Sequence, residues 1–205
     1  MHRAIFCHNR EPEKRGTPAE KCRLGCGCVE NQLHTVTCPY VKSYWSLVFG
    51  FIRNVLKVPE PGRRVEAIVP NRWSRDEVGP PVACAFIRHA YRAHYRHFSL
   101  VDTQGKQYVT SLVFQETLHN FRSAVLRYGM SIKVFRVRRR YTEMKMHVAL
   151  ETLEAFPELI TINPDSYDFE LAPNFQRAIS ESDRKVAQWK AHPSMAPRQG
   201  AVVLP

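Results

Sequence analysis

The sequence contains no uninterrupted apolar run of the roughly 18 residues that a membrane-spanning helix requires. Its first residues, MHRAIFCHNREPEKRG, also lack the apolar core of a secretory signal peptide. Glu11 and Glu13 weaken an organelle-targeting interpretation of the same segment, although an organellar location stays open. We therefore expect an intracellular protein, nuclear or cytoplasmic, that spans no membrane and is not secreted.

Acidic residues are the scarcer charged class, with 19 Asp and Glu against 30 Lys and Arg. The resulting net charge of +11 favours a polyanionic partner, nucleic acid first and an acidic membrane surface second. Aromatic residues are plentiful, with 11 Phe, 8 Tyr and 3 Trp, so the chain can bury a core. A length of 205 residues suits one domain, or a small module followed by a medium one.

Enzyme signatures are also missing from the sequence. It has no recognisable pair of nucleophile and general base, no glycine-rich phosphate loop and no metal site with an open position. These absences predict that the chain is not an enzyme and takes no small-molecule substrate.

Helical periodicity dominates the sequence and predicts a mainly α fold with small strand content. Apolar residues recur every three or four positions from Tyr40 to Val58, and PEPG at 59–62 ends this helix. Further helices are predicted at 82–98, 111–128, 144–156 and 173–189. Short strands are predicted at 159–163 and 167–171, and a turn at 102–107.

The end of the 111–128 helix is harder to place. Gly129 follows its apolar stripe and is predicted to be its C-cap. The next residues, SIKVFRVRRR, alternate apolar and basic side chains, which fits either a strand or a continuation of the helix.

Changes in composition divide the chain into five segments. The two ends, 1–20 and 191–205, are predicted to be flexible because they are polar and contain prolines. Between them we predict a zinc knuckle with its amphipathic helix at 21–61, a linker at 62–81, and a mostly helical basic domain at 82–190.

Four of the six cysteines and one histidine lie in CRLGCGCVENQLHTVTC, residues 22–38. Outside a secreted protein, such clustering favours metal ligands over disulfides. The spacing C-x3-C-x7-H-x3-C offers three thiolates and an imidazole to Zn2+, and glycines flank the second cysteine where the chain must curl. The predicted ligands are Cys22, Cys26, His34 and Cys38. Four protein ligands leave no position for water, so the zinc is predicted to be structural.

Cys28 is one thiol more than this ligand set needs. It can replace Cys22 or Cys26, or be a small buried residue beside the site, and Cys7 and His8 are more distant substitutes. The opposing interpretation is a reactive or incidental cysteine cluster without a metal. We favour zinc, because four cysteines within seventeen residues at this spacing are not expected by chance. A segment this short also has too little core to fold alone, so the metal would supply its folding energy.

The stretch CRLGCG…NQLHTVTCPYVKSYWSLVFGFIRNVLKVPEP, 22–61, resembles the zinc-binding segment near the C-terminus of non-LTR (LINE-type) retrotransposon reverse transcriptases. That family's pattern is a cysteine pair, a short polar stretch, Leu-His, a third cysteine and a helix with a tryptophan. Leu33, His34 and Trp45 match its later positions, although three residues rather than four separate His34 from Cys38. The resemblance implies binding of template RNA and target DNA.

The polymerase residues of that family are absent from this chain. It has no Tyr-x-Asp-Asp-like motif to hold two metal ions, and Asp168 and Glu170 are interpreted as exposed positions of a short strand. The resemblance therefore implies a non-catalytic C-terminal portion without the polymerase or nuclease domain.

Arginines are concentrated in two stretches, one in the predicted 82–98 helix and one in RVRRR at 136–140. Guanidinium groups match the oxygens of phosphate, so both stretches are predicted to contact nucleic acid. The predicted contact residues are Arg88, Arg92, Arg96, Arg136, Arg138, Arg139 and Arg140. The alternative for the first stretch is a solvated helix face whose arginines pair with carboxylates. The histidines at 89, 94 and 97 are interpreted as surface residues.

Taken together, these features predict a non-catalytic, zinc-binding, basic protein that binds nucleic acid. The alternative is a structural subunit of a large ribonucleoprotein or other multi-protein assembly, for which a zinc knuckle and basic charge are equally suitable. RNA and DNA are not distinguished, because phosphate contacts carry no sequence information.

Overall fold

The computed structural model describes residues 21–31, 33–58, 81–104, 107–137, 159–163 and 168–192. Within these ranges the chain forms five α-helices, a 3-10 turn and a two-stranded sheet, which confirms the predicted mainly α fold with small strand content. The elements are α1 His34–Thr37, the 3-10 turn Pro39–Val41, α2 Lys42–Asn54, α3 Pro81–Gln104, α4 Thr110–Val137, β1 Ile160–Ile162, β2 Phe169–Leu171 and α5 Pro173–Ala191.

Several predictions fall outside the described residues. They are the 1–20 segment, nearly all of the 62–81 linker, the 144–156 helix and most of the 191–205 tail. Among the helices that the structure does describe, none has the length and apolar character needed to cross a membrane.

Helix α2 follows the cysteine cluster directly and presents an apolar face to the core. Pro39 opens the 3-10 turn, where the missing amide hydrogen breaks no helical hydrogen bond, and the regular helix begins at Lys42. The helix ends at Asn54, before the predicted end at Val58, and Lys57 has a φ of 54°. Its buried residues have the predicted three- and four-residue spacing: Tyr44, Trp45, Val48, Phe51 and Ile52.

Helices α3 and α4 are both longer than predicted. Helix α3 runs to Gln104, so the predicted turn at 102–107 begins inside the helix. Helix α4 continues to Val137, so 131–137 is helical and the prediction that Gly129 is a C-cap is wrong. A Cβ atom at Gly129 would lie 2.9 Å from the ring of Phe169 in β2. The close packing of β2 on α4 therefore explains this glycine.

Strands β1 and β2 form an antiparallel pair inside the two predicted strand segments. Their register pairs Ile160 with Leu171, Thr161 with Glu170 and Ile162 with Phe169. Helix α5 begins at Pro173, as predicted, and packs against α4. Its buried face repeats every three or four residues: Phe175, Ile179, Ser182 and Val186.

Four phenylalanines from four helices form the centre of the core. Phe51 of α2 stacks on Phe86 of α3, with ring centroids 4.3 Å apart. Phe121 of α4 lies 5.0 Å from Phe86, and Phe175 of α5 lies 5.7 Å from Phe51. No ring in this group is more than 4% exposed. The predicted 21–61 module and the predicted 82–190 domain thus contribute to one continuous core.

Tyr44 adds a polar contact that fixes α2 against α3 and α4. Its buried hydroxyl donates to the Ala90 carbonyl oxygen at 2.7 Å and lies 2.8 Å from Thr117 Oγ1. A buried hydroxyl is unfavourable unless it is hydrogen-bonded, so these two partners restrict how α2 can lie on the other helices.

Candidate metal centre

Residues 21–38, called the knuckle below, begin with a tight hairpin. Lys21 and Val29 form an antiparallel bridge, and the Cys22 amide donates to the Cys28 carbonyl oxygen at 2.8 Å. Gly25 and Gly27 have φ values of 82° and 83°, a backbone conformation that residues with a Cβ atom rarely adopt. These two glycines let the backbone reverse within the hairpin that carries Cys22 and Cys26.

Helix α1 and the residue that caps its C-terminus supply the other two predicted ligands, His34 and Cys38. The Asn31 side-chain oxygen accepts a hydrogen bond from the His34 amide at 2.7 Å, and the Cys38 amide donates to the His34 carbonyl oxygen at 2.8 Å. A separation of four residues is about one helical turn, so His34 and Cys38 face the hairpin from the same side.

The four predicted ligands converge on one point. The Sγ atoms of Cys22, Cys26 and Cys38 and one ring nitrogen of His34 all lie within 4.8 Å of one another. The Cys22 and Cys38 sulfurs are 3.8 Å apart, and Cys26 Sγ is 3.1 Å from His34 Nε2. A tetrahedral ion with metal–sulfur bonds of about 2.3 Å separates two sulfurs by about 3.8 Å. The donor set therefore fits a metal ion.

Burial differs among the ligands and controls their protonation. Cys22 and Cys38 are 4% and 1% exposed, whereas Cys26 and His34 are half-buried. Burial raises the pKa of both the Cys22 and the Cys38 thiols, since a thiolate is poorly solvated in the core. Burial lowers the pKa of His34, which favours the neutral imidazole that a metal binds. Both buried thiols therefore hold their protons more tightly than an exposed cysteine does.

We predict that metal affinity rises steeply with pH. The ion must displace the protons of Cys22 and Cys38, whose pKa values lie above the usual range, while His34 is already neutral near pH 7. Between about pH 6 and about pH 8, each displaced proton increases the apparent affinity roughly tenfold per pH unit. Competition for Zn2+ with a chromogenic chelator measures this slope. An affinity that does not change with pH would contradict the thiolate ligation.

Cys28 lies outside the four-ligand set. Its side chain is exposed, so it is not the small buried residue that the sequence allowed. Interaction with the Cys26 side chain raises the pKa of the Cys28 thiol. The ligands that the structure brings together are thus the four first predicted, with Cys28 at their solvent side.

Glu30 is a structural residue of the knuckle that the sequence did not reveal. It is 3% exposed, and its carboxylate accepts hydrogen bonds from the Arg23 amide at 3.1 Å and from Arg23 Nε at 2.9 Å. The Arg23 guanidinium also lies 4.9 Å from the centroid of the Phe98 ring in α3. A buried carboxylate needs such a partner, and this pair joins the hairpin to α3.

His94 of α3 lies beneath the knuckle and is fully buried, so its interpretation as a surface residue is wrong. Its Nδ1 atom is 2.8 Å from the hydroxyl of Tyr108, and its ring packs among Tyr44, Trp45 and Phe98. Burial lowers the pKa of His94 to about 4, so the imidazole is neutral near pH 7. His94 therefore supports the helix packing and does not join the metal ligands.

The three arginines predicted to share one face of α3, Arg88, Arg92 and Arg96, have different surroundings in the structure. Arg88 and Arg92 are exposed and form no ion pair with the residues that the structure describes. Arg96 instead pairs with Glu116 of α4 at 3.1 Å, and His97 Nε2 lies 2.8 Å from the same carboxylate. The structure therefore shows Arg96 in the alternative arrangement, in which the arginine pairs with a carboxylate.

Arg127 of α4 is exposed, like Arg88 and Arg92. Burial lowers the pKa of the half-buried His89, and the positive charges of Arg92, Arg127 and Arg88 lower it further. The positive charges of all three guanidinium groups therefore influence His89. We call Arg88, Arg92 and Arg127 the arginine patch. The sequence does not predict that Arg127 acts with Arg88 and Arg92, because only the fold shows that α4 packs against α3.

Only the first residues of the second predicted arginine stretch, 136–140, lie within the described residues. Arg136 belongs to helix α4, and its side chain is not among those described. Arg138, Arg139 and Arg140 fall in the undescribed range 138–158. Their contact with nucleic acid stays a prediction.

Comparisons with protein-family models, curated proteins and solved structures found no match to this chain. The resemblance of residues 22–61 to the LINE-type segment therefore stays a prediction from the sequence.

Proposed function

We propose that the ion of the knuckle is a structural Zn2+. Three thiolates and one imidazole are a ligand set that Zn2+ favours, and all four positions of a tetrahedral ion are taken by protein. The ion would supply Lewis-acid attraction that holds the hairpin against α1. Arg23, held by Glu30 inside the knuckle, then docks the hairpin on α3 through its contact with Phe98.

We further propose that the protein binds nucleic acid through the arginine patch and acts without catalysis. The observations that carry this proposal are that Arg88, Arg92 and Arg127, on two helices, are exposed and that the positive charges of all three lower the pKa of His89. Arg88 and Arg92 form no ion pair within the described residues, so their charges stay available to phosphate. The net charge of +11 and the resemblance of residues 22–61 to a segment that grips RNA and DNA support the same function.

We predict that neutralising the patch weakens nucleic-acid binding. Arg88→Gln/Arg92→Gln/Arg127→Gln should lower the affinity for a generic RNA or DNA roughly tenfold or more near 0.1 M salt. Because each lost phosphate contact lowers the slope of log affinity against log salt by about one, the slope should also decrease. Fluorescence anisotropy across a salt series measures both quantities.

A control of equal charge is available on the outer face of α5. Arg177, Arg184 and Lys185 are all exposed, so Arg177→Gln/Arg184→Gln/Lys185→Gln removes the same three charges elsewhere. We expect this control to change the affinity much less than the patch variant does. Equal losses in both variants would contradict a defined patch, and undetectable binding by the unaltered chain would favour the structural-subunit alternative.

A further inference from the structure

His94 is a titratable side chain enclosed by aromatic rings between α2 and α3. It is 0% exposed, and its ring centroid lies 5.9 Å from that of Tyr44 and 5.6 Å from that of Trp45, both of α2. The rings of Phe98 in α3 and of Tyr108 before α4 each lie 5.6 Å from it. An imidazole in such surroundings is stable only while it is neutral or paired with an opposite charge.

The tyrosines that face His94 supply hydrogen bonding but no negative charge. The Tyr108 hydroxyl lies 2.8 Å from His94 Nδ1, and the ring of Tyr91 lies 6.5 Å from the imidazole. Burial raises the pKa of both Tyr44 and Tyr108, so these phenols stay neutral at acidic and at neutral pH. A protonated His94 therefore finds no counter-charge among them.

The other groups that act on His94 belong to α1 and to its own helix. Burial lowers the pKa of His94 to about 4, the Thr35 backbone of α1 acts in the opposite direction, and positive charge on His97 lowers the pKa further. The Glu116 carboxylate of α4 pairs with Arg96 and lies 2.8 Å from His97 Nε2. The carboxylate on this side of α3 is thus engaged with those two residues.

We propose that His94 is an acid-sensitive switch whose protonation releases α2 and the knuckle from α3. A buried imidazolium without a counter-charge is far less stable than the same ion in water. The ring can reach water only when Tyr44 and Trp45 move away from it, and both belong to α2, which follows the knuckle directly. This inference depends on neither of the functions proposed above.

The direction of the pH effect follows from the protons that each state binds. In the unfolded chain a histidine takes up a proton below about pH 6.5, whereas folded His94 does so only below about pH 4. The stability contributed by the neutral imidazole is therefore fully present above about pH 6.5 and is lost as the pH falls toward 4. Between pH 7 and pH 5, this one group should lower the ratio of folded to unfolded chain roughly twentyfold.

The first test compares urea unfolding of the full-length chain at pH 7 and pH 5 in one Zn2+ buffer. The unaltered chain should lose roughly twentyfold more of its folding equilibrium constant between the two pH values than His94→Gln, whose amide does not titrate. Any effect of pH on the metal centre is common to both chains and cancels. His119→Gln, which alters a histidine whose side chain is 42% exposed, is the matched control and should behave like the unaltered chain. Equal losses in the unaltered chain and His94→Gln would overturn the inference.

Hydrogen–deuterium exchange of the unaltered chain tests the release without a variant, and so also covers a His94→Gln chain that fails to fold. After correction for the intrinsic rate at each pH, the amides of α2 should exchange at least about tenfold faster at pH 5 than at pH 7. Protection of α2 that is the same or greater at pH 5 would contradict the acid-sensitive switch.

Discussion

Replacement of Cys38 by serine is expected to abolish stoichiometric zinc binding and to unfold the knuckle. Cys38 is 1% exposed, and its Sγ atom lies 3.8 Å from Cys22 Sγ. Cys38 also belongs to the same hydrophobic core as the buried face of α2. A serine hydroxyl there is a poor zinc ligand and is left in an apolar environment. Because the binding energy of a structural zinc is folding energy, we expect the affinity to fall roughly a thousandfold or more.

Cys28→Ser is the matched control for this experiment. It makes the same chemical change two residues from Cys26 but outside the ligand set, and its side chain is exposed. Elemental analysis of both purified variants should find close to one zinc per chain in Cys28→Ser and almost none in Cys38→Ser. If Cys28→Ser lost the metal while Cys38→Ser kept it, the ligand assignment would be wrong.

Replacement of Phe86 by alanine is expected to destabilise the whole described structure, not α3 alone. Phe86 is fully buried, stacks on Phe51 and touches Phe121 edge-on. Truncating a phenylalanine in a closed core leaves a cavity and costs about 3–5 kcal/mol of the free energy of unfolding. Urea denaturation in a Trp73→Phe/Trp189→Phe background, where Trp45 is the remaining tryptophan, is followed by fluorescence and by circular dichroism. Fluorescence then measures the loss at α2, and circular dichroism measures it across all helices together.

The two probes together show whether α2 unfolds with the other helices or separately from them. If α2 and the later helices share one core, both transitions should move to lower urea by the same amount. Leu47→Ala, at a position of α2 that is 37% exposed, should change the stability by less than about 1 kcal/mol. A Trp45 transition that stays in place in Phe86→Ala would show that α2 and its knuckle fold independently of α3.

The sequence was sufficient to predict the four ligands and most of the described helices, because both produce a regular spacing of residues in the sequence. The set Cys22, Cys26, His34 and Cys38 follows from ligand chemistry and short loops, and the structure brings it within 4.8 Å. The apolar face of α2 follows from a periodicity that survives in any packing arrangement. Such local signals do not depend on the rest of the chain.

Features that depend on neighbours distant in sequence could not be predicted. Gly129 resembles a helix end until Phe169 packs against it, and His94 resembles a surface residue until α2 covers it. Arg96 continues the face of Arg88 and Arg92 along the helix, but α4 places Glu116 beside it. In each case a tertiary contact changes what the local pattern predicts.

Zinc K-edge X-ray absorption of the purified, zinc-loaded chain identifies the atoms that bind the ion in the knuckle. We predict three sulfur ligands at about 2.3 Å and one nitrogen ligand at about 2.0–2.1 Å. This result would match the thiolates of Cys22, Cys26 and Cys38 and the imidazole of His34. A shell of four sulfurs, or one made mainly of oxygen and nitrogen, would contradict it.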